Sequence, residues 1–287
     1  MVKKKIMSEN LIHGTEIIIN QNNKEILSDF TFLADKTNMP LVIFCHGYKG
    51  FKDWGAWQLA MDELAEQGCF AVKFNFSLNG TTVDKPTEFN DLESFGNNTY
   101  TQEQKDLTAI IDFYKTNDRV DSSNIYLIGH SRGGGAAILQ CYHNQDVKGV
   151  ITWAGVSDFR KRFPHGERFE EWKEKGVFYS VNGRTKQEMP HFFTFWEDYE
   201  QNEDKLNVQK AAQHLTKPTL IVQGTDDPAV PLKEAQLLHQ WISSSLLNIV
   251  DGADHVFGAK HPYDKNEMPK HLKEVVEATI NFIKSTK

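Results

Sequence analysis

Short runs of purely apolar residues, each followed by a stretch of helical spacing, constrain this chain more than any other feature. Leu41-Val42-Ile43-Phe44-Cys45 and Ile125-Tyr126-Leu127-Ile128 contain no charged residue. Such a run suits a strand covered on both faces. Further strands are expected at 15–20 and 28–34, joined by the turn-forming Gln21-Asn22-Asn23-Lys24, and at 70–76, 147–154, 219–223 and 246–250. Helical spacing runs over 56–67 up to Gly68, over 101–116, from near Ser131, and from 267 to the C-terminus. In the last, Leu272, Val275, Val276, Thr279, Ile280 and Ile283 share one face. Strand-helix alternation of this kind predicts an α/β fold: a mainly parallel central sheet of about eight strands with helices on both faces.

One segment breaks the rhythm. Residues 156–216 show no clear strand-helix unit and are rich in aromatics, including Phe159, Phe163, Trp172, Phe178, Phe192, Phe195, Trp196 and Tyr199. A stretch this long inside a domain reads as a small lid or binding insertion. Most of its aromatics are expected to form a satellite core, with a minority facing a pocket. The whole of 1–287 is otherwise read as a single domain.

The balance of charge narrows the partners. The formal net charge is −7, and the basic residues are scattered among acids apart from Lys3-Lys4-Lys5. Nucleic acid, which needs a concentrated basic face, is therefore not an expected partner. The lysine run reads as a solvated terminus rather than a signal peptide, because Ser8, Glu9 and Asn10 interrupt the apolar stretch that should follow it. No apolar run approaches the ~20 residues that cross a bilayer, so no membrane partner and a cytoplasmic location are expected. Cys45, Cys69 and Cys141 are widely spaced and read as small buried hydrophobes, not as a disulfide framework or a metal site. An exposed apolar insertion also offers a surface on which two copies could pair as a homodimer.

The chemistry concentrates in Gly129-His130-Ser131-Arg132-Gly133, which fits G-x-S-x-G between an expected buried strand and an expected helix. A nucleophile on so sharp a turn needs glycines two residues to either side, and the helix that begins there favours negative charge beside it. Ser131 is the candidate nucleophile. Its hydroxyl needs a base. Of the eleven histidines, His255 follows the last expected strand, in Gly252-Ala253-Asp254-His255-Val256-Phe257, at the sheet edge where open α/β sheets bind ligands. His46 and His130 belong to the turns themselves and are expected to bond to backbone.

The base in turn needs a carboxylate to fix its tautomer. Asp227, in Gly224-Thr225-Asp226-Asp227-Pro228, follows the preceding strand. Asp226 reads as a turn residue, Asp254 as structural, and Asp158 as the second choice of acid. His46-Gly47-Tyr48-Lys49-Gly50 follows another strand end, and an oxyanion needs two fixed N–H donors. The backbone N–H groups of Tyr48 and Arg132 are the candidates. Arg132, Lys49, Lys52 and Arg184 are positioned in sequence to meet a substrate carboxylate, and each also reads as a solvated charge or half of a salt bridge.

With the order Ser131, Asp227, His255 in place, the chain resembles the α/β-hydrolase superfamily from Thr15 onward. Its His46-Gly47-Tyr48-x-Gly50 loop looks like that of feruloyl-esterase and dienelactone-hydrolase-like members, which relate more distantly to prolyl-oligopeptidase-like peptidases. The segment from Lys175-Gly176-Val177 to Met189-Pro190 looks like the small lid of that group. The resemblance implies the α/β-hydrolase fold, a small-molecule carboxylic ester as substrate, acyl-enzyme chemistry and no cofactor or metal. Two departures stand out. Gln223 occupies a position where relatives often carry His, and Ser131 stands where dienelactone hydrolases proper use cysteine. A thioesterase or peptidase with the same triad, and a non-catalytic binding protein on the same scaffold, are the alternatives.

Overall fold

The computed structural model describes residues 10–286, and the lysine run at 3–5 lies outside them. The chain opens with β1 (Leu11–Ile19), β2 (Glu25–Leu33) and β3 (Met39–Cys45), then α1 (Trp57–Glu66) and β4 (Phe70–Phe74). Next come α2 (Leu92–Gly96), α3 (Tyr100–Tyr114), β5 (Val120–His130), α4 (Arg132–His143) and β6 (Val147–Trp153). The insertion holds α5 (Glu167–Lys175), β7 (Val177–Val181), β8 (Glu188–Phe192), α6 (Thr194–Gln201), α7 (Glu203–Leu206) and α8 (Val208–His214). The chain then closes with β9 (Thr219–Gly224), α9 (Leu232–Trp241), β10 (Ser245–Val250) and α10 (Lys270–Thr286).

Eight strands form the central sheet, in the order β1-β2-β4-β3-β5-β6-β9-β10. From β4 to β10 every pairing is parallel; β1 and β2 add an antiparallel edge. The apolar runs explain why. Alternate residues of a strand face opposite ways, so Leu41, Ile43 and Cys45 enter one core while Val42 and Phe44 enter the other. The same holds for Ile125 and Leu127 against Tyr126 and Ile128. Helices α3, α4, α8 and α9 cover the first face. Helices α1 and α10 cover the second, with Leu272, Val275, Val276, Ile280 and Ile283 of α10 buried as their spacing predicts.

The insertion differs from its expectation. Its β7 and β8 pair as an antiparallel hairpin between short helices, a pattern that the sequence does not show as a strand-helix unit. Nor do its aromatics form a satellite. Phe159, Phe163, Trp172, Phe195 and Tyr199 merge with the core on the first face of the sheet. Tyr100 of α3 stacks on Phe159 with ring centroids 3.9 Å apart. Large rings at short loop-to-helix distances gain more by joining an existing core than by enclosing a small one of their own.

Candidate active site

Strand β5 passes into α4 through the glycine-flanked turn. Ser131 holds φ 56° and ψ −120° there, a conformation that L side chains rarely adopt. Three backbone hydrogen bonds maintain it. The Ser131 N–H donates to the Trp153 carbonyl at 2.9 Å, and the Ser131 carbonyl accepts from Gly134 at 2.9 Å and Val156 at 3.1 Å. The flanking glycines are needed for space. A Cβ at Gly129 would lie 2.1 Å from the Gly133 carbonyl oxygen, and one at Gly133 would lie 2.4 Å from that of Cys45. The turn is thus pressed against the end of β3, and the Ser131 hydroxyl stands at the start of α4.

His255 and Asp227 meet beside it. His255 Nδ1 lies 2.8 Å from Asp227 Oδ2, so Nδ1 carries the proton and Nε2 is left as the basic nitrogen. The Asp227 side chain is fully buried. Its Oδ1 accepts from the Ala229 and Val230 N–H groups at 2.8 and 2.9 Å, and its Oδ2 also accepts from Gln223 Nε2 at 2.9 Å. Burial alone would raise the carboxyl pKa, but the His255 bond and the two amides outweigh it and hold the group below its ordinary value. The loop bearing His255 is tied by Asp254, whose Oδ1 accepts from Val256 and Gly258 at 3.1 and 2.8 Å. Asp158 is elsewhere, accepting from Arg160 and Lys161 in its own turn. Asp226 faces Thr225 rather than His255.

The loop after β3 forms the opposite wall. A Cβ at Gly47 would reach within 2.9 Å of Ser131 Cβ, so this loop packs directly against the nucleophile's turn. Arg132 follows Ser131 at the first position of α4 and sits where a helix leaves its N–H groups unpaired. His46 anchors the loop by donating from Nδ1 to the Gly47 carbonyl and accepting the Phe76 N–H on Nε2. Burial lowers the His46 pKa to about 4, so the ring stays neutral.

A cavity of about 160 Å³ lies between these parts, lined by His46, Gly47, Tyr48, Lys49, Gly50, Trp54, Trp57, His130, Ser131, His255 and Val256. Its aromatic wall therefore comes from the loop after β3 and from α1. None of the insertion's aromatics lines it; Phe159 and Tyr199 line a separate, smaller cavity instead. Of the four cations, Arg132 pairs with buried Glu103 at 2.5 Å. Lys52 joins Asp29, Asp53 and Lys73 in a network under the loop. Arg184 lies over the Phe51 ring. Lys49 Nζ donates to the carbonyls of Ser180 and Val181 on β7.

Three contributions were not legible from sequence. Gln223, which stands where relatives often carry His, grips the acid. Tyr48 Oη bonds to Ser180 Oγ at 2.7 Å and His191 Nε2 at 2.6 Å, which ties the hairpin to the loop. His130 Nε2 lies 2.8 Å from the His255 carbonyl oxygen; the bond to backbone is as expected, and only its partner in a distant loop goes unread. Each joins residues far apart in the chain except Gln223, whose signal is its spacing of four before Asp227 at the end of a strand. The Cys45 thiol, near the site, is pushed up in pKa by burial and next by Glu103, and makes no reactive thiolate.

Residues 87–277 match the sequence profile of the prolyl oligopeptidase family. No curated protein matches the chain. Among solved structures, Est1E from Butyrivibrio proteoclasticus with ferulic acid bound is similar at 19% identity and a TM-score of 0.75, over 94% of this chain and 99% of that one. The esterase domain of a Rhodothermus marinus protein is similar at 17% identity and 0.65, over 96% and 98%. An esterase from Pyrococcus furiosus is similar at 17% identity and 0.62, over 96% and 90%. All three share the α/β-hydrolase fold described above.

Proposed function

The chain belongs to the prolyl oligopeptidase family of α/β hydrolases, and from that premise we propose that it is a serine esterase acting on a small or medium carboxylic ester through an acyl-enzyme on Ser131. One observation carries the reading: a serine in a strained positive-φ turn shares a cavity with a histidine whose Nδ1 is fixed 2.8 Å from a buried carboxylate. His255 Nε2 takes the Ser131 proton as Oγ attacks the ester carbonyl. The tetrahedral oxyanion forms between the Tyr48 and Arg132 N–H groups. His255 then protonates the leaving alcohol, and water activated by the same nitrogen releases the acid. Asp227 stays ionised and orients the ring.

The cavity is smaller than the ~300 Å³ at which ligand pockets begin, which favours a short acyl group held against Trp54 and Trp57. Hydrolysis of p-nitrophenyl esters from acetate to decanoate, with methyl ferulate beside them, tests this. Turnover biased to short chains, lost by several orders of magnitude in Ser131→Ala, is the expected result. Asp227→Asn should keep the fold and lose about 10⁴ in kcat by mis-setting the His255 tautomer. Folded protein that is inert on every ester yet cleaves thioesters or peptides would move the assignment to those bonds. Failure of a phosphonate to label Ser131 would leave only a binding role.

A further inference from the structure

His130 stands between nucleophile and base, and the chemistry above gives it nothing to do. Its side chain lies almost wholly inside the protein, at 6% exposure. Nε2 lies 2.8 Å from the carbonyl oxygen of His255, and the two rings are 4.8 Å apart. A carbonyl only accepts, so Nε2 carries the proton. Trp57 packs on the ring at 5.1 Å, and Gly47 borders Nδ1, where an added Cβ would come within 3.2 Å. His130 is therefore clamped from α1, from the loop after β3 and from its own turn.

We propose that His130 is a positioning residue for the base, its Nε2–H fixing the His255 backbone so that the ring is held at two points, the carbonyl by His130 and Nδ1 by Asp227. The proposal rests on His255 being the base. Without His130 the ring could still bond to Asp227, and Asp254 would still brace the loop behind it, but the His255 peptide would lose its own fixed donor and Nε2 could shift away from Ser131. The role requires a ring that does not change charge. The titratable groups facing it are His255, Asp227 and His46. Burial, then the neighbouring His255, push the His130 pKa down to about 3, so the ring stays neutral and donates from one nitrogen at neutral pH.

The test compares His130→Gln, whose amide places a donor near the position of Nε2, with His130→Phe and His130→Asn, which do not. On p-nitrophenyl acetate, Phe and Asn are expected to lower kcat about 100-fold, the scale of an ångström-sized misplacement, with KM changed by no more than a few fold. Gln is expected to restore kcat to within about fivefold of wild type. The acid limb of the pH profile should overlay wild type in Gln and move in Phe and Asn. Asn keeps the comparison open if Phe fails to fold. Equal losses in all three folded variants, or no loss in Phe or Asn, would overturn the role. A wild type inert to esters and to phosphonate labelling would instead defeat the reading of His255 as base.

Discussion

At the scale of single residues the site is built from crowding and strain. Gly129 and Gly133 are fixed by backbone oxygens a Cβ would strike, and Ser131 is left to hold the unfavourable dihedral. Such a residue costs about 1–3 kcal/mol, a cost glycine does not bear. Ser131→Gly is therefore expected to be more stable than Ser131→Ala by about 1 kcal/mol, as read from urea midpoints, while both are inactive. Equal stability would mean that the turn is not strained. Much of this was legible in sequence, because the motif states its own sterics: small residues two before and two after a serine, at the seam of an apolar run and a helix. The choice of Asp227 over Asp226 was legible too, through the proline behind it. What Gln223 does was not, since its donor reaches the acid only after the chain has turned back through Val230.

Between elements, the hairpin β7–β8 and the loop after β3 are joined through Tyr48. Its hydroxyl bonds to Ser180 and His191, and its N–H is the one proposed above as an oxyanion donor. Tyr48→Phe removes both hydroxyl bonds and leaves the ring contacts with Phe95 and His191. Each bond is worth about 1 kcal/mol net. Amide exchange in 177–192 should therefore quicken about tenfold or more, with exchange in β5 and β6 unchanged. Protection that stays the same in the hairpin would show that its other ties, Lys49 to Ser180 and Val181, Phe192 packed on Gly96 and Gln187 bonded to Phe89, suffice to hold it. This level of structure is where sequence reading stopped. Strands buried on both faces announce themselves as apolar runs, and long amphipathic helices by their period. Helices such as α2 and α7, of five and four residues, are too short to show a period and form through tertiary packing instead. The Tyr48–His191 contact, 143 residues apart, leaves no local trace.

At the scale of the whole molecule, three histidines among the described residues are buried neutral. Burial is the largest cause in each, lowering His46 to about 4 and both His130 and His191 to about 3 from an ordinary 6.5. In the unfolded chain all three recover the ordinary value. Between roughly pH 6 and 4 the unfolded state therefore binds more protons than the folded one, and stability falls as pH falls. Each such group contributes about 1.4 kcal/mol per pH unit, so three give about 4. Carboxylates act in both directions: burial raises Glu103 and Asp106, which take up protons sooner in the folded state and offset part of this loss, while two paired ones act lower down. Asp227 and Asp29 are held below their ordinary value of 3.8, so their contribution is present above that pH and is lost as pH drops through their folded values. Acid unfolding should accordingly begin well above the carboxylate range. Urea unfolding at half-unit steps from pH 7 to 4 should give a steepening loss below about 6. His191→Phe, which removes one of the three groups, should flatten that slope by about a third even if it lowers stability at pH 7. A stability that stays level down to pH 4.5 would show that these rings take up protons without unfolding the protein.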